Sequence, residues 1–88
     1  EKVFSNSHPT LATSYTQLGE IEKKLKNIYE AEKLFRKALE IREKLLPPGH
    51  KFTLYSYKKL LTLFEEHNRI SESKELRLRA KEHGFGEI

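Results

Sequence analysis

Apolar residues recur every three or four positions between Ile28 and Leu45, and charged residues fill the positions between them. This spacing is typical of an α-helix with one apolar face. The face alternates small alanines with bulky side chains, so a neighbouring helix can approach closely and interdigitate with it. Its residues are Ala31, Leu34, Phe35, Ala38, Ile41 and Leu45. The pattern therefore predicts a helix that packs against partner helices.

The same periodicity predicts one helix before this segment and two after it. The first runs from Pro9 to about Leu25, and Gly19 marks a close crossing by the next helix, because a helical glycine costs about 1 kcal/mol relative to alanine. The predicted core positions are Leu11, Tyr15, Leu18 and Leu25 in the first helix; Phe52 or Leu54, then Tyr57, Leu60, Leu61 and Phe64 in the third; and Ile70, Ser73, Leu76 and Ala80 in the fourth.

Short polar or turn-forming segments separate the predicted helices. Asn27 with Glu30 three residues later fits a capping box at the start of the central helix, which predicts a tight helical hairpin. The Pro-Pro-Gly sequence at residues 47–49 ends that helix, because proline cannot donate the next hydrogen bond and glycine adopts turn conformations. A further turn is predicted around residues 67–69.

The chain repeats itself with a shift of 42 residues, which relates Tyr57 to Tyr15 and Leu60 to Leu18. The first residues match the end of the central helix under the same shift, so we expect residues 1–7 to be the tail of a preceding unit. The predicted organisation is then a complete repeat at 8–49, a degenerate terminal or capping repeat at 50–84, in which Arg77 replaces Phe35, and a tail at 85–88.

Charge and composition narrow the classes of function. The chain carries 17 Lys and Arg against 13 Asp and Glu, with no basic block, so nucleic-acid binding is not expected. It has no cysteine, which removes disulfides and thiolate metal sites, and its sequence has neither a membrane-spanning apolar run nor a signal-peptide pattern. We expect a cytoplasmic, or at least intracellular, protein segment.

Leu18-Gly19, Ala31 twelve residues after Gly19, Phe35 and Ala38 resemble the tetratricopeptide repeat. The 42-residue period, with HPTLATSY at the start of the first helix and AEKLFRKALEIREKLLPPGH through the second helix and its end, resembles the longer variety found in kinesin light chains and related scaffold proteins. Residues 8–50 carry the resemblance well and residues 50–84 weakly; Glu22 stands where the family usually has an aromatic residue. The resemblance implies an all-α fold of about four helices, in antiparallel hairpins stacked as a right-handed superhelix, an α-solenoid.

In repeats of this kind the first helix of each hairpin lines a concave surface that contacts partners. Polar residues opposite the predicted core are the candidate contacts, although an ordinary solvated face explains them equally well. Tyr55 beside Lys58 combines an amphipathic ring with a positive charge, as is common at protein interfaces. The full candidate set is Thr13, Thr16, Gln17, Glu20, Lys23, Lys24, Tyr55, Lys58, Lys59, Thr62, Glu65 and Glu66. The set contains no asparagine, so the family's clamp for peptide carboxylates is not predicted.

Catalytic, cofactor and metal sites are not expected. The four histidines, His8, His50, His67 and His83, are widely spaced, and zinc ligands usually come in closely spaced pairs. Turn positions are the preferred interpretation. The sequence shows no nucleophile–base–acid arrangement and no glycine-rich phosphate loop, so we predict that the chain is not an enzyme and holds no cofactor.

Two functions from different classes fit these observations. The favoured one is a protein-interaction module that binds a peptide or helix of a partner protein on the concave surface. The alternative is a structural, C-terminal helical arm of a larger enzyme or assembly that packs against a sibling domain or self-associates through exposed repeat ends. RNA binding is a distant third, testable through its salt dependence.

Overall fold

The chain forms four α-helices in a computed structural model that describes residues 9–86 and 88. They are α1 (Pro9–Lys24), α2 (Ile28–Leu45), α3 (Lys51–Glu66) and α4 (Ile70–Glu82). The described part of the chain contains no β-strand. The prediction of an all-α repeat fold is confirmed, whereas the expected tail of a preceding unit at residues 1–7 lies outside the described residues.

The helices form two hairpins with the same spacing along the chain. α1 begins at Pro9 and α3 at Lys51, while α2 begins at Ile28 and α4 at Ile70, so equivalent helices start 42 residues apart. The turns also repeat, because Lys26 and Asn68, themselves 42 residues apart, both adopt positive φ, at 69° and 57°. The sequence period is therefore a structural period.

Small residues let α1 and α2 approach each other closely. α1 buries Ala12, Thr16 and Gly19, which recur at helical spacing along one face. A Cβ added at Gly19 would lie 2.7 Å from Cε1 of Phe35, so the glycine is needed where the two helices cross. The predicted crossing at Gly19 is confirmed, and Phe35 is only 1% exposed.

Part of the predicted α1 core is wrong. Leu18 is 48% exposed and Leu25 is also exposed. The face of α1 that meets α2 carries the small residues Ala12, Thr16 and Gly19, and the face that carries Leu18, Ile21 and Leu25, here called the leucine face, does not meet α2. The equivalent residue of α3, Leu60, is fully buried, since α3 lies between α2 and α4 and contacts both. Among the described residues no helix precedes α1, and the leucine face of α1 faces solvent.

One continuous core joins α2, α3 and α4. The residues it buries include Phe35, Tyr57, Leu60, Leu61, Phe64, Leu76 and Ala80, as the periodicity predicts, together with Leu39 and Leu63, which the prediction missed. Leu45 and Ile70 were predicted as core positions and are exposed, and of the alternatives Phe52 and Leu54 it is Leu54 that packs against the core while Phe52 is exposed. The three exposed residues lie at or near helix ends.

The predicted capping box before α2 is wrong, although Asn27 does occupy the N-cap position. The Asn27 side chain makes no cap hydrogen bond and instead donates from Nδ2 to Oε1 of Glu22 at 2.7 Å. The start of α3 has a side-chain cap, because Nδ1 of His50 accepts a hydrogen bond from the Phe52 amide at 3.1 Å. His50 is thus a structural turn residue, as the sequence indicates.

The second hairpin is closed by its own C-terminal residues. The Gly49 amide donates to the His83 carbonyl at 2.8 Å, and Phe85 is buried edge-on against Tyr57, with ring centroids 5.5 Å apart. Ile88 packs partly against the same core. Two residues of the predicted tail, Phe85 and Ile88, therefore contribute to the hydrophobic core.

A largely buried carboxylate connects α2, α3 and α4. Glu43 accepts hydrogen bonds from the Tyr57 hydroxyl and from the Arg79 guanidinium, whose Nε lies 3.0 Å from Oε2, and His83 Nε2 lies 3.4 Å from the same oxygen. Burial raises the pKa of the Tyr57 hydroxyl, and its hydrogen bond to Glu43 raises that pKa further. The cluster gives the buried charge of Glu43 the partners that such a group needs.

Candidate partner-binding surface

Five of the predicted contact residues meet between α1 and α3. Lys59 Nζ lies 3.2 Å from Glu20 Oε2, and the Tyr55 hydroxyl donates to the same carboxylate oxygen at 3.2 Å. Lys23 Nζ lies 2.7 Å from Glu66 Oε1. The first helices of the two hairpins are therefore bridged by polar side chains along one common surface, which we call the α1–α3 surface and define by these five residues.

Tyr55 is the largest side chain presented on the α1–α3 surface. It is 46% exposed, and the Lys59 ammonium lies 5.2 Å from the centre of its ring, within the range of a cation–π interaction. Partial burial acts to lower the pKa of Lys59, but hydrogen bonds with Glu20 and Tyr55 outweigh this effect and hold that pKa above its usual value. The ring is therefore held by polar neighbours on both helices while one side stays open to solvent.

A shallow groove of about 270 Å³ lies beside these residues. Glu20, Lys23, Lys24 and Lys59 line its sides, and Phe35 borders it but is only 1% exposed. The hydrogen bond with Lys23 lowers the pKa of Glu66, the carboxylate that pairs with this lysine of the groove. The groove is thus lined mainly by charged side chains of both signs.

The remaining predicted contact residues do not all share this surface. Thr16 is buried and donates from its hydroxyl to the Ala12 carbonyl at 2.9 Å, so its placement among exposed residues is corrected. Glu65 pairs with Arg77 of α4, and Thr13 lines a separate cavity at the helix ends. Gln17, Lys58 and Thr62 are exposed on α1 and α3.

The separate cavity lies where the start of α1, the end of α2 and the start of α3 meet. It has a volume of about 310 Å³ and is lined by Pro9, Thr10, Thr13, Ile41, Arg42, Leu45, Leu46 and Phe52. Arg42 is buried there and donates from Nη1 to the Ser56 hydroxyl at 2.8 Å and to the Phe52 carbonyl at 3.2 Å. Burial lowers the pKa of Arg42 from its usual value.

Sequence reasoning missed Arg42, although a signal for it was present. Arg42 follows Phe35 and Leu39 by seven and three residues, which places it on the buried face of α2. A charge on an apolar face at helical spacing indicates a buried cation, because an exposed one would lie on the opposite face. Ser56, which receives its hydrogen bond, had no such signal.

Two other kinds of feature are absent from residues 9–86 and 88. No group of three or more histidine, aspartate or glutamate side chains is placed there to hold a metal ion. In the same residues, no helix combines the length and the apolar character that crossing a bilayer requires.

Comparisons with known proteins agree with this architecture. The family described as tetratricopeptide repeat matches residues 10–82. The clustered mitochondria protein homolog of Candida albicans is 35% identical over 74 residues, which make up 84% of this chain and 5% of that protein. The chain therefore spans about one twentieth of the length of this curated relative. No solved structure matches the chain. With two hairpins of equal period and a match over most of its length, the chain belongs to the tetratricopeptide repeat family.

Proposed function

We propose that this chain is a protein-interaction module that binds a peptide or helix of a partner protein on the α1–α3 surface. Tetratricopeptide repeats mediate protein–protein interactions and form a scaffold rather than a catalytic fold. We assign this general role to the α1–α3 surface and propose that the protein is intracellular. We propose that the module acts within a larger host protein, since the matched segment makes up only 5% of the Candida albicans relative.

The observation that carries the proposal is the half-exposed ring of Tyr55, held in place by charged groups of both hairpins. The Glu20 carboxylate and the Lys59 ammonium restrict the ring, so a partner meets a largely pre-organised aromatic surface. Tyrosine is enriched at interfaces because it offers a large contact area with few rotatable bonds. The adjacent groove supplies charges of both signs for orientation.

A selection experiment tests the proposal even though the partner is unidentified. Peptides are selected from an unbiased displayed library against the 88-residue chain, and their affinities are measured for wild type and for the double variant Lys58→Glu/Lys59→Glu, which reverses Lys59 of the surface and Lys58, exposed next to it in α3. We expect the reversal to weaken binding by about tenfold or more, which corresponds to roughly 1.4 kcal/mol. Circular dichroism must show unchanged helices.

Matched controls come from the outer surface of α2. Tyr55→Ala is compared with Tyr29→Ala, because Tyr29 is 80% exposed and belongs to the other helix of the first hairpin. Lys33→Glu is the charge control. We expect the controls to bind as wild type does. Selected peptides whose affinity is the same for wild type, Tyr55→Ala and the lysine reversal would show that the α1–α3 surface is not the binding site.

The exposed leucine face of α1 favours a second candidate, a structural arm that packs against another domain or a second copy. Leu18, Ile21 and Leu25 are exposed at helical spacing, and the residues of α3 equivalent to the first two, Leu60 and Leu63, are fully buried. Light scattering after size exclusion tests self-association: a dimer at high concentration that Leu18→Glu dissociates supports it, and a monomer at all concentrations contradicts it.

A further inference from the structure

Arg42 is the most buried of the five arginines of the chain, and no carboxylate pairs with it among the described residues. It is 9% exposed. Each of the other four has an acidic partner: Arg36 and Arg69 pair with Glu32, Arg77 pairs with Glu65, and Arg79 pairs with Glu43. Among the described residues, the least exposed arginine is therefore the one without a counter-charge.

A cation with as little exposure as Arg42 usually has a counter-charge. A guanidinium has five N–H donors, and a buried charge is normally both paired and hydrogen-bonded. Nη1 of Arg42 donates to two neutral oxygens, those of Ser56 and Phe52. The N–H groups on Nε and Nη2 have no acceptor among the residues that the structure describes, and two donors on adjacent nitrogens are the geometry that a carboxylate accepts.

The surroundings of Arg42 reinforce the positive charge. Arg42 lines the cavity of about 310 Å³ at the helix ends, and its described lining contains no acidic residue. The lining ring of Phe52 has two cations near it, with the Arg42 guanidinium and the Lys51 ammonium each 5.7 Å from its centre. The rest of the lining is mainly apolar, from Ile41, Leu45 and Leu46 among others. An occupant that complements the cavity has one negative charge and an apolar part.

We propose that this cavity binds an acidic side chain of a partner peptide, with the carboxylate on Arg42 and an adjacent apolar side chain against the ends of α1, α2 and α3. The proposal rests on the proposed function in that the occupant is a peptide, but it assigns a subsite outside the α1–α3 surface. One guanidinium matches the single charge of a carboxylate, whereas a phosphate group carries nearly two negative charges. The surrounding apolar wall adds area to bury.

Capped tripeptides provide a direct probe of this subsite. The peptide acetyl-Leu-Glu-Leu-amide is titrated into the ¹⁵N-labelled 88-residue chain and followed by NMR, together with the matched acetyl-Leu-Gln-Leu-amide. We expect saturable shifts of the Arg42 Nε–Hε signal and the Thr13 amide with the glutamate peptide. The glutamine peptide should bind about tenfold more weakly or worse, because it removes the charge and keeps the shape.

Arg42→Met separates a binding role from a purely structural one. Methionine has a similar volume and removes a poorly exposed charge that has no counter-charge among the described residues, so we expect this variant to fold. It should bind the two peptides equally, while Arg77→Met on α4 should keep the full preference for glutamate. If Arg42→Met unfolds, Arg42→Lys supplies the readout: it keeps the charge but not two donors on adjacent nitrogens, and should lose most of the preference.

Several results would overturn the proposal. Equal binding of the glutamate and glutamine peptides to wild type would show that Arg42 does not recognise a carboxylate. Binding of acetyl-Leu-phosphoserine-Leu-amide that is tighter than binding of the glutamate peptide would indicate a phosphopeptide site. A Glu1→Gln variant whose Arg42 Nε–Hε signal moves as far as the peptide moves it would show that the chain's own acid is the occupant. If the tripeptide tests fail but the library peptides still bind more weakly to the Lys58→Glu/Lys59→Glu variant, only the Arg42 subsite is refuted. If the preference for the glutamate peptide depends on Arg42 but the library peptides bind the lysine variant as they bind wild type, only the assignment of the α1–α3 surface is refuted.

Discussion

Substituting alanine for Gly19 is the sharpest test of how the first hairpin is packed. The new Cβ would lie 2.7 Å from Cε1 and 2.8 Å from Cδ1 of Phe35, closer than carbon atoms approach in a folded protein. The Phe35 ring is almost completely buried, so it cannot swing into solvent to make room. Either the ring leaves its rotamer or α1 and α2 move apart, and both responses disturb the core.

Two effects of opposite sign decide the magnitude. Alanine is preferred over glycine within a helix by about 1 kcal/mol. Adding a methyl group to a closed core costs about 1–3 kcal/mol through strained rotamers and backbone shifts. Because both contacts are well below 3.0 Å and the neighbour is a fully packed ring, the strain should prevail. We expect a net loss of about 1 kcal/mol and a fall in Tm of about 4–8 °C.

Urea titration monitored by circular dichroism measures this change. The control is Gln17→Ala, an exposed position of the same helix, which should change stability by less than about 0.5 kcal/mol. Combining Gly19→Ala with Phe35→Leu should show a coupling of about 1 kcal/mol, since the smaller side chain relieves the overlap. A Gly19→Ala variant that is more stable than wild type would refute the close crossing, because helix propensity alone predicts that gain.

Three further changes address other parts of the fold. Glu43→Gln should lower the free energy of unfolding by about 1–3 kcal/mol in urea titrations, because the donors around it lose a charged acceptor, whereas the exposed Glu40→Gln should have little effect. Phe85→Ala should cost about 3 kcal/mol in the same assay, and a change below about 0.5 kcal/mol would mean that the Phe85 ring does not contribute to the core. Partial burial acts to raise the pKa of Glu32, but hydrogen bonds from two arginines outweigh it and the pKa lies below its usual value of 4.5. The contribution of ionised Glu32 to stability is therefore complete above its pKa in the unfolded chain, and it is lost as the pH falls through its lower pKa in the folded protein. In urea titrations at a series of pH values, the stability difference between wild type and Glu32→Gln should therefore shrink below about pH 4.5.

The repeat and its helices could be predicted from the sequence because both are encoded locally. Apolar spacing sets the helix period, and the 42-residue shift relates the two hairpins whatever contacts they make. Burial is a different matter. Leu18 and Leu60 occupy the same repeat position, yet one is half exposed and the other is fully buried. The difference depends on which helices cover each face, and a single helix does not carry that information.

Contacts between helices could not be predicted for the candidate site either, and the α1–α3 surface differs from the helix-end cavity around Arg42 in how its charges are paired. The sequence predicts that Glu20, Lys23, Lys59 and Glu66 are exposed, but only the structure shows that they form ion pairs between α1 and α3. Such exposed pairs are worth at most about 1 kcal/mol each, so a partner can open them at little cost, and they govern orientation more than affinity. Arg42 has no ion pair to open among the described residues, and a carboxylate that reaches it gains hydrogen bonds that the guanidinium does not otherwise make there. A partner that engages both regions should therefore owe more of its affinity to the helix-end cavity and more of its register to the α1–α3 surface.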